Sequence, residues 1–431
     1  MSKPAIPVRH VIAVVIGNGL EFYDFLTYAI FAVYIGRTFT PPSAGEWGLL
    51  ISLAIFGAGF ITRPLGGIIL GSLGDRVGRR QVMFVSFVLI GVGMAGLALT
   101  PSYAQIGIAA PLIVLFFRLI QGFALGGEIG PTTAYMVESA PEERRGFYGS
   151  MQFASQNAAV LIASIIGVAL AGLLNPEQLQ SWGWRVAFLA GVIIVPFGVM
   201  IRRNLPETLH AADDAALAPD ATKGTLTLSA RLAPYSKLIA LCFALLMTGA
   251  IGTYLQDYMT TYALDTLHMS ASVAFGATVV SASITMLMQP VAGTLSDRIG
   301  RKPLMIYPSL VLIFLIVPAF AAISHYRSTG VLYGFIAAMA VIYSFCQAPV
   351  VVALTESLPP RIRSGAVATV YAFAISLFGG STQFVITWII KATQNPMAPA
   401  YYWTGAVLFG IVAALLLPES APAILKRRGK T

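Results

Sequence analysis

Charged residues are scarce in this chain, since only 10% of its 431 residues are Asp, Glu, Lys or Arg and 57% are hydrophobic. Soluble domains carry roughly a quarter charged residues, so this chain has too few to cover a water-facing surface. Cysteine and histidine are also rare, with two and four residues. The cysteines fall in apolar runs and the histidines are dispersed, which disfavours a disulfide framework, a metal site or a nucleophile–base pair. We therefore predict that the protein is not a soluble enzyme, needs no cofactor and binds no nucleic acid.

Long apolar runs are what the sequence has in abundance. A helix needs roughly 20 apolar residues to cross the hydrocarbon core of a bilayer, and the chain offers about twelve such stretches. Their continuous apolarity favours helices over a membrane barrel, whose strands would alternate lipid-facing and lumen-facing residues. We predict an all-α membrane protein with helices near 10–36, 48–73, 81–100, 107–138, 146–173, 184–203, 236–265, 271–295, 303–323, 330–356, 363–390 and 398–418.

The distribution of basic residues predicts the orientation of these helices. With a cytoplasmic amino terminus, the inside segments hold about 21 Lys and Arg and the outside segments about four, in agreement with the positive-inside rule. The outside four are Arg37, Arg185, Arg327 and Lys391. The first apolar run contains Glu21 and Asp24 and lacks a small-residue cleavage site, so we expect a retained helix rather than a secretory signal. Both termini are predicted to be cytoplasmic.

The sequence contains an internal repeat that divides it into two related halves. GSLGDRVGRRQ at 71–81 returns as GTLSDRIGRKP at 293–303, ESAP at 138–141 as ESLP at 356–359, and LPET at 205–208 as LPES at 417–420. Three ordered landmarks at nearly constant spacing indicate a duplication. We predict six-helix bundles at 1–203 and 236–418, a cytoplasmic linker at 204–235 and a basic cytoplasmic tail at 419–431. Repeated membrane halves place a solute site near the midplane between them.

The duplicated landmarks predict an ionic gate at the cytoplasmic ends of the helices. The doubled G-x-x-x-D-R-x-G-R-[RK] element lies in short predicted turns, where its aspartates can cap or pair at helix ends and its arginines can reach neighbouring carboxylates. Positive-inside anchoring is an equally good interpretation of each single arginine. The predicted gate residues are Asp75, Arg76, Arg79, Glu138, Asp297, Arg298, Arg301 and Glu356.

This doubled element resembles the signature of the major facilitator superfamily. NGLEFYDF at 18–25, ITRPLGG at 61–67, RLIQGFALGGE at 118–128, RRGFYGSMQ at 144–152 and WGWRVAF at 182–188 are similar to the metabolite:proton symporters. SDRIGRKP and VALTESLP further resemble the bacterial citrate–proton symporters. The resemblance covers nearly the whole chain. It implies a twelve-helix major facilitator fold in a bacterial inner membrane and proton-coupled uptake of a carboxylate.

Ionisable residues inside the predicted spans point to the coupling site, because a charge at the bilayer centre costs roughly 2.5–3.5 kcal/mol and usually faces a cavity or a partner. Glu21 and Asp24 share one face of the first helix, and two carboxylates at this spacing repel each other unless one is protonated. We predict that Glu21, Asp24 and Glu128 include the proton-coupling groups. A simple ion pair with Arg63 or Arg118 is the alternative.

The same spans carry the predicted substrate-binding residues. Arg118 presents a planar fork suited to a carboxylate, although it is also a candidate for a structural pair with Glu21 or Asp24. For the amides, interhelical hydrogen bonding is the commoner use. The full predicted set is Arg118, Arg63, Tyr28, Gln121, Gln156, Asn157, Tyr258 and Gln347. Asp257 departs from the citrate-carrier pattern and is either a second titrating group or a residue at the cavity mouth.

The predicted function is inward symport of a small di- or tricarboxylate, such as citrate, with protons. The expected partners are a small anionic metabolite, protons and the lipid bilayer, and we expect the protein to act as a monomer. Sodium coupling and transport of a zwitterionic osmolyte are the near alternatives. A channel or receptor is a different class, which the two-half duplication disfavours.

Overall fold

The computed structural model describes residues 8–45, 47–77, 79–126, 140–203, 233–358 and 369–427. These residues form helices joined by short connections, and the helices are numbered α1 to α12 by predicted span. The first six are α1 (Val8–Ile30, continued by Ala32–Phe39), α2 (Trp47–Ile61 and Arg63–Val77), α3 (Arg79–Leu99), α4 (Ala109–Gly126), α5 (Arg145–Leu173) and α6 (Trp184–Arg203).

The last six helices follow residues 204–232, which lie outside the described part of the chain. They are α7 (Ser236–Asp257, then Met259–Thr261 and a π-helical turn Tyr262–Thr266), α8 (Ala271–Ile299), α9 (Arg301–Tyr326), α10 (Thr329–Ser357), α11 (with a π-helical turn Ile375–Gly379, then Gly380–Thr393) and α12 (Ala398–Leu416). A short helix, α13 (Pro422–Arg427), follows. The prediction of about twelve helices in two six-helix halves is confirmed.

Local chemistry explains where several helices break. The amide nitrogen of Pro64 cannot donate a hydrogen bond, and α2 has a turn at Thr62 just before it. Between α8 and α9 the chain reverses at Gly300 alone, whose φ of 109° suits glycine. The second copy of the duplicated element is therefore helical on both sides of one glycine, whereas the sequence predicted a turn. Asp297 lies in the last turn of α8, and Arg301 begins α9.

The outer surface of the bundle is apolar, as a membrane protein requires. Nine of the described helices are long and apolar enough to cross a membrane, namely α2, α4, α5 and α7 to α12. Large hydrophobic side chains such as Ile61, Leu173 and Phe314 are 70%, 82% and 78% exposed. In water such a surface would favour aggregation, whereas in a bilayer it contacts acyl chains.

The two halves pack against each other through α5 with α8 and through α2 with α11. At the end that the charge distribution predicts to be cytoplasmic, here called the inner end, Gly146 of α5 lies against Gly293 of α8. Towards the opposite, outer end, Gly57 of α2 lies against Gly380 of α11. Glycine lets two helix backbones approach this closely. Polar side chains between these contacts are enclosed by protein rather than by lipid.

Candidate functional site

Two arginines from different helices share one aromatic ring in the middle of the first half. Arg63 of α2 and Arg118 of α4 are 3% and 0% exposed. Their guanidinium carbons lie 4.2 Å and 4.1 Å from the centre of the Phe25 ring. Arg63 also lies 4.1 Å from the Phe60 ring, and Arg118 lies 4.5 Å from the Tyr28 ring. Cation–π contacts of this kind hold the two guanidinium groups in place without using their N–H donors.

Gln121 connects Arg118 to the acidic face of α1. Arg118 Nη1 donates to Gln121 Oε1 at 2.8 Å, and Gln121 Nε2 donates to Asp24 Oδ1 at 2.8 Å. The sequence allowed a direct ion pair between Arg118 and Asp24. In the structure the two residues are instead linked by a hydrogen-bond relay through the Gln121 amide. A change at Asp24, such as gain of a proton, is felt at Arg118 through two hydrogen bonds.

Most of the donors on the two arginines are unused. Nε, Nη1 and Nη2 of Arg63 and Nε and Nη2 of Arg118 are buried and have no hydrogen-bonding partner among the described residues. Buried donors are nearly always paired in folded proteins, so this group of buried N–H donors indicates a binding site for a hydrogen-bond acceptor. Two adjacent guanidinium groups with free N–H forks match a ligand with carboxylate groups.

Aromatic side chains close this site towards the second half. Tyr254 of α7 lies 5.4 Å from the Phe60 ring and 6.1 Å from the Phe56 ring, measured between centroids. Its phenol group is close enough to Arg63 to interact with the guanidinium electrostatically. Tyr254 also lines a small cavity between the halves. A displacement of Tyr254 would therefore join the cavity to the two arginines.

The cavity is lined from both halves by a mixture of amides, hydroxyls and rings. Its polar lining includes the predicted residues Gln156 and Asn157 of α5 and, from the second half, Asp257 of α7 and Gln289 of α8. Its remaining lining residues are Phe22, Leu26, Phe153, Val160, Thr253, Tyr254, Gln256, Thr285 and Tyr343. Such a mixture, with few charges and several orienting polar groups, is typical of a small-molecule site.

Other predicted site residues occupy different surroundings. Tyr28 packs beside Arg118, and its hydroxyl donates to the Ser52 carbonyl at 3.3 Å. Tyr258 accepts a hydrogen bond from Thr387 at 2.9 Å and lies outside the lining of the central cavity. Gln347 lines a separate small cavity within the second half. Glu21 is buried one turn before Asp24, and Glu128 lies outside the described residues.

The inner end of the second half carries a dense ionic network. Arg301 donates from Nε and Nη2 to the two carboxylate oxygens of Glu356, each at 3.1 Å, and its Nη1 lies 2.8 Å from Asp297 Oδ1. Arg298, also in the predicted gate, is exposed. For the first half, the side chains of Asp75, Arg76, Arg79 and Glu138 lie outside the described part of the chain.

Asp297 also links the two halves. Its Oδ1 accepts from the backbone nitrogen of Gly146 at 2.7 Å, and its Oδ2 accepts from that of Phe147 at 3.1 Å. These amides belong to the first turn of α5, where unpaired N–H groups and the helix dipole favour an anion. This aspartate in the last turn of α8 therefore caps a helix of the opposite half.

The third duplicated landmark has a structural purpose that sequence reasoning missed. Glu419 accepts from the backbone nitrogens of Arg301 at 2.9 Å and Lys302 at 3.1 Å, so it caps the start of α9. Ser420 donates from Oγ to Glu356 at 3.0 Å. The repeat of Leu-Pro-Glu-Thr as Leu-Pro-Glu-Ser was the signal available in the sequence.

The comparison with known families agrees with this architecture. The model of the Major Facilitator Superfamily matches residues 14–381. The chain belongs to the major facilitator superfamily. It is therefore a multi-pass membrane transporter and not an enzyme.

Full-length relatives of this transporter carry several solutes. It is 35% identical over 417 residues to a citrate-proton symporter of Klebsiella pneumoniae, an alignment that covers 96% of this chain and 93% of the relative. It is 32% identical to the alpha-ketoglutarate permease of Escherichia coli, covering 96% and 92%. It is also 31% identical to the glycine betaine/proline/ectoine/pipecolic acid transporter OusA of Dickeya dadantii, covering 97% and 84%. Its relationship to these proteins makes the transporter a proton-coupled symporter. The relatives differ in the substrate that they carry.

A solved structure supports the fold of the transporter independently. The crystal structure of a D-xylose-proton symporter superposes with a TM-score of 0.76 at 20% identity, covering 96% of this chain and 98% of that chain. At this level of identity the likeness concerns the fold alone.

Proposed function

We propose that this symporter takes up a small di- or tricarboxylate, such as citrate or a related organic acid, together with protons. Arg63 and Arg118 would bind the carboxylate groups, and Glu21 or Asp24 would carry a coupling proton. The observation that carries this proposal is the pair of buried guanidinium groups on one Phe25 ring, each with donors that have no hydrogen-bonding partner among the described residues. Two fixed cations suit an anion with more than one carboxylate, because each fork can bind one group bidentately.

The relay through Gln121 supplies a physical route for coupling. While Asp24 is ionised, it accepts from Gln121, which in turn accepts from Arg118. A substrate carboxylate that pairs with Arg118 competes for the same positive charge, so protonation of Asp24 favours substrate binding. Against a negative-inside potential each net negative charge costs about 2.3 kcal/mol per 100 mV, so proton entry must offset the substrate's charge.

A second candidate is a zwitterionic solute that has one carboxylate and a cationic nitrogen. The similarity to OusA supports it, as does the presence of Asp257 in the same cavity as the Tyr254 that contacts Arg63. We keep the zwitterionic solute as the alternative because one carboxylate requires only one of the two guanidinium groups.

Uptake into proteoliposomes tests the proposal. Labelled citrate, alpha-ketoglutarate and glycine betaine are supplied with and without an imposed pH gradient, and sodium is replaced by choline at a fixed gradient. We expect gradient-driven accumulation of a di- or tricarboxylate that does not change with choline. Accumulation of betaine alone would establish the second candidate, and dependence on sodium would contradict proton coupling.

Arg118→Lys is the companion variant, since lysine keeps the charge but loses the fork. Loss of one charge-assisted hydrogen bond of about 1.5–3 kcal/mol corresponds to substrate affinity weaker by about 10- to 150-fold. Arg327→Lys, at an exposed arginine on the outer side, is the matched control and should leave affinity unchanged. Undiminished binding by Arg118→Lys would refute the assignment of Arg118.

The remaining expectations concern the setting of the transporter. We propose that it acts as a monomer in the bacterial inner membrane, with both termini in the cytoplasm.

A further inference from the structure

Asp257 is a buried carboxylate in the second half that the proposed coupling through α1 does not use. It ends the first segment of α7, directly before the interruption at Tyr258. The side chain is 5% exposed and lines the central cavity. Asp257 therefore faces the space between the halves, where a solute crossing the transporter must pass.

One oxygen of the Asp257 carboxylate lacks, within the described part of the chain, the partner that a buried acid usually has. Its Oδ2 is buried without a hydrogen-bonding partner among the described residues. None of the ion pairs found within the described ranges includes it. By contrast, Asp24 accepts from Gln121, and Asp297 pairs with Arg301 and caps α5. Within the described residues, the charge of Asp257 is thus compensated less than that of Asp24 or Asp297.

The described residues that line the cavity with Asp257 provide no positive charge. Its own helix contributes Tyr254, and α10 contributes Tyr343, whose hydroxyl donates to the carbonyl of Gly249 at 2.5 Å. The walls from α5 and α8 supply neutral amides and a hydroxyl, namely Gln156, Asn157, Gln289 and Thr285, and α1 supplies Phe22 and Leu26. Arg63 and Asp257 each interact electrostatically with the Tyr254 phenol.

An uncompensated carboxylate in such a place is costly when ionised. Burial of an ion without a partner costs several kcal/mol even after relaxation, and a cation or a proton removes this cost. A bound di- or tricarboxylate adds further negative charge and increases the repulsion at Asp257. Proton uptake by Asp257 removes both the cost of burying its charge and its repulsion from the bound substrate.

We propose that Asp257 is a proton-binding site of the second half, which takes up a proton from the outer solution when a carboxylate substrate occupies the cavity. The proton binds to a carboxylate oxygen of Asp257, converts it to the neutral acid, and leaves to the cytoplasmic solution after the substrate departs. This inference rests on the proposed function, because a polyanionic substrate supplies the charge that the proton offsets. It gives each half of the transporter its own acid for coupling.

Calorimetric titration of the purified full-length protein with citrate tests the proposal. Titrations at one pH in two buffers with different ionisation enthalpies give the number of protons taken up per citrate bound. We expect Asp257→Asn to take up fewer protons than the wild type, by up to about one per citrate. Asp257→Glu keeps a titratable group and should take up the wild-type number of protons per citrate. This variant also tests the proposal if the asparagine variant folds poorly.

A matched carboxylate provides the control. Asp265 lies later in α7, is partly exposed and sits 3.7 Å from Lys391, so Asp265→Asn should leave proton uptake unchanged. The proposal is overturned if Asp257→Asn takes up as many protons as the wild type, or if Asp257→Glu fails to restore the number. Absence of citrate binding by the wild type, with alpha-ketoglutarate also inactive, would instead refute the proposed function. Loss of glycine betaine binding by Asp257→Asn at unchanged proton uptake would assign the carboxylate to a cationic nitrogen and overturn the proton site.

Discussion

The contact between Asp297 and the start of α5 can be tested as a latch between the halves. The substitution Asp297→Asn keeps the size of the side chain but removes its charge and one of its two acceptor oxygens. In the wild type both oxygens are used across the halves, at 2.7 Å to the nitrogen of Gly146 and at 3.1 Å to that of Phe147. Opening at the inner end requires both hydrogen bonds to break, since they join α8 to α5.

The size of the effect follows from the bonds lost. A hydrogen bond to a charged group contributes about 1.5–3 kcal/mol, and asparagine can retain at most one of the two in a weaker, neutral form. We therefore expect the ratio of open to closed molecules at the inner end to rise by about 10- to 150-fold. Arg301 keeps its bidentate contact with Glu356 in this variant, so the second half should remain folded.

Distance measurements between two spin labels report this ratio directly. Labels at Glu143, before α5, and at Ile299, at the end of α8, lie on exposed positions of opposite halves. Cys242 and Cys346 are first replaced by alanine so that the labels are unique. The Asp297→Asn variant should shift the distance distribution towards longer values without substrate.

A second link between the halves serves as the control. Lys426 and Glu142 lie 3.2 Å apart with side chains that are 55% and 52% exposed. An exposed pair contributes at most about 1 kcal/mol, so Glu142→Gln should change the ratio by less than about 5-fold. If Asp297→Asn shifts the distribution no more than Glu142→Gln does, the interpretation of Asp297 as a latch is wrong.

Two further changes test the relay and the outer contact. Gln121→Leu removes both hydrogen bonds that connect Arg118 to Asp24. Uphill accumulation of substrate should therefore fall, while exchange of substrate across the vesicle membrane persists. Full accumulation with normal exchange would show that coupling does not depend on Gln121. Gly57→Leu adds a side chain whose Cβ would lie 2.6 Å from the Gly380 carbonyl oxygen, which should force α2 and α11 apart. A single cysteine placed at the buried Ser52 should then react faster with a maleimide added from outside, and an unchanged rate would contradict this expectation.

The amino-acid sequence alone determined the class of the protein and its helices. Apolar runs are a local property of the chain, and their length relates directly to the thickness of a bilayer. The duplicated Asp-Arg elements indicated two related halves, and the scarcity of charge in the spans singled out Glu21, Asp24, Arg63, Arg118 and Asp257. The fold was therefore predictable almost in full, apart from details such as the reversal at Gly300.

Only the tertiary structure decided which of these residues meet. The relay from Arg118 through Gln121 to Asp24, and the sharing of the Phe25 ring with Arg63, depend on how α1, α2 and α4 pack together. Periodicity places a residue on a face of its own helix but does not say which helix that face contacts. The partner of Asp297 is the start of α5, 151 residues away in sequence. Such contacts result from helix packing, which is a property of the whole chain and not of any segment.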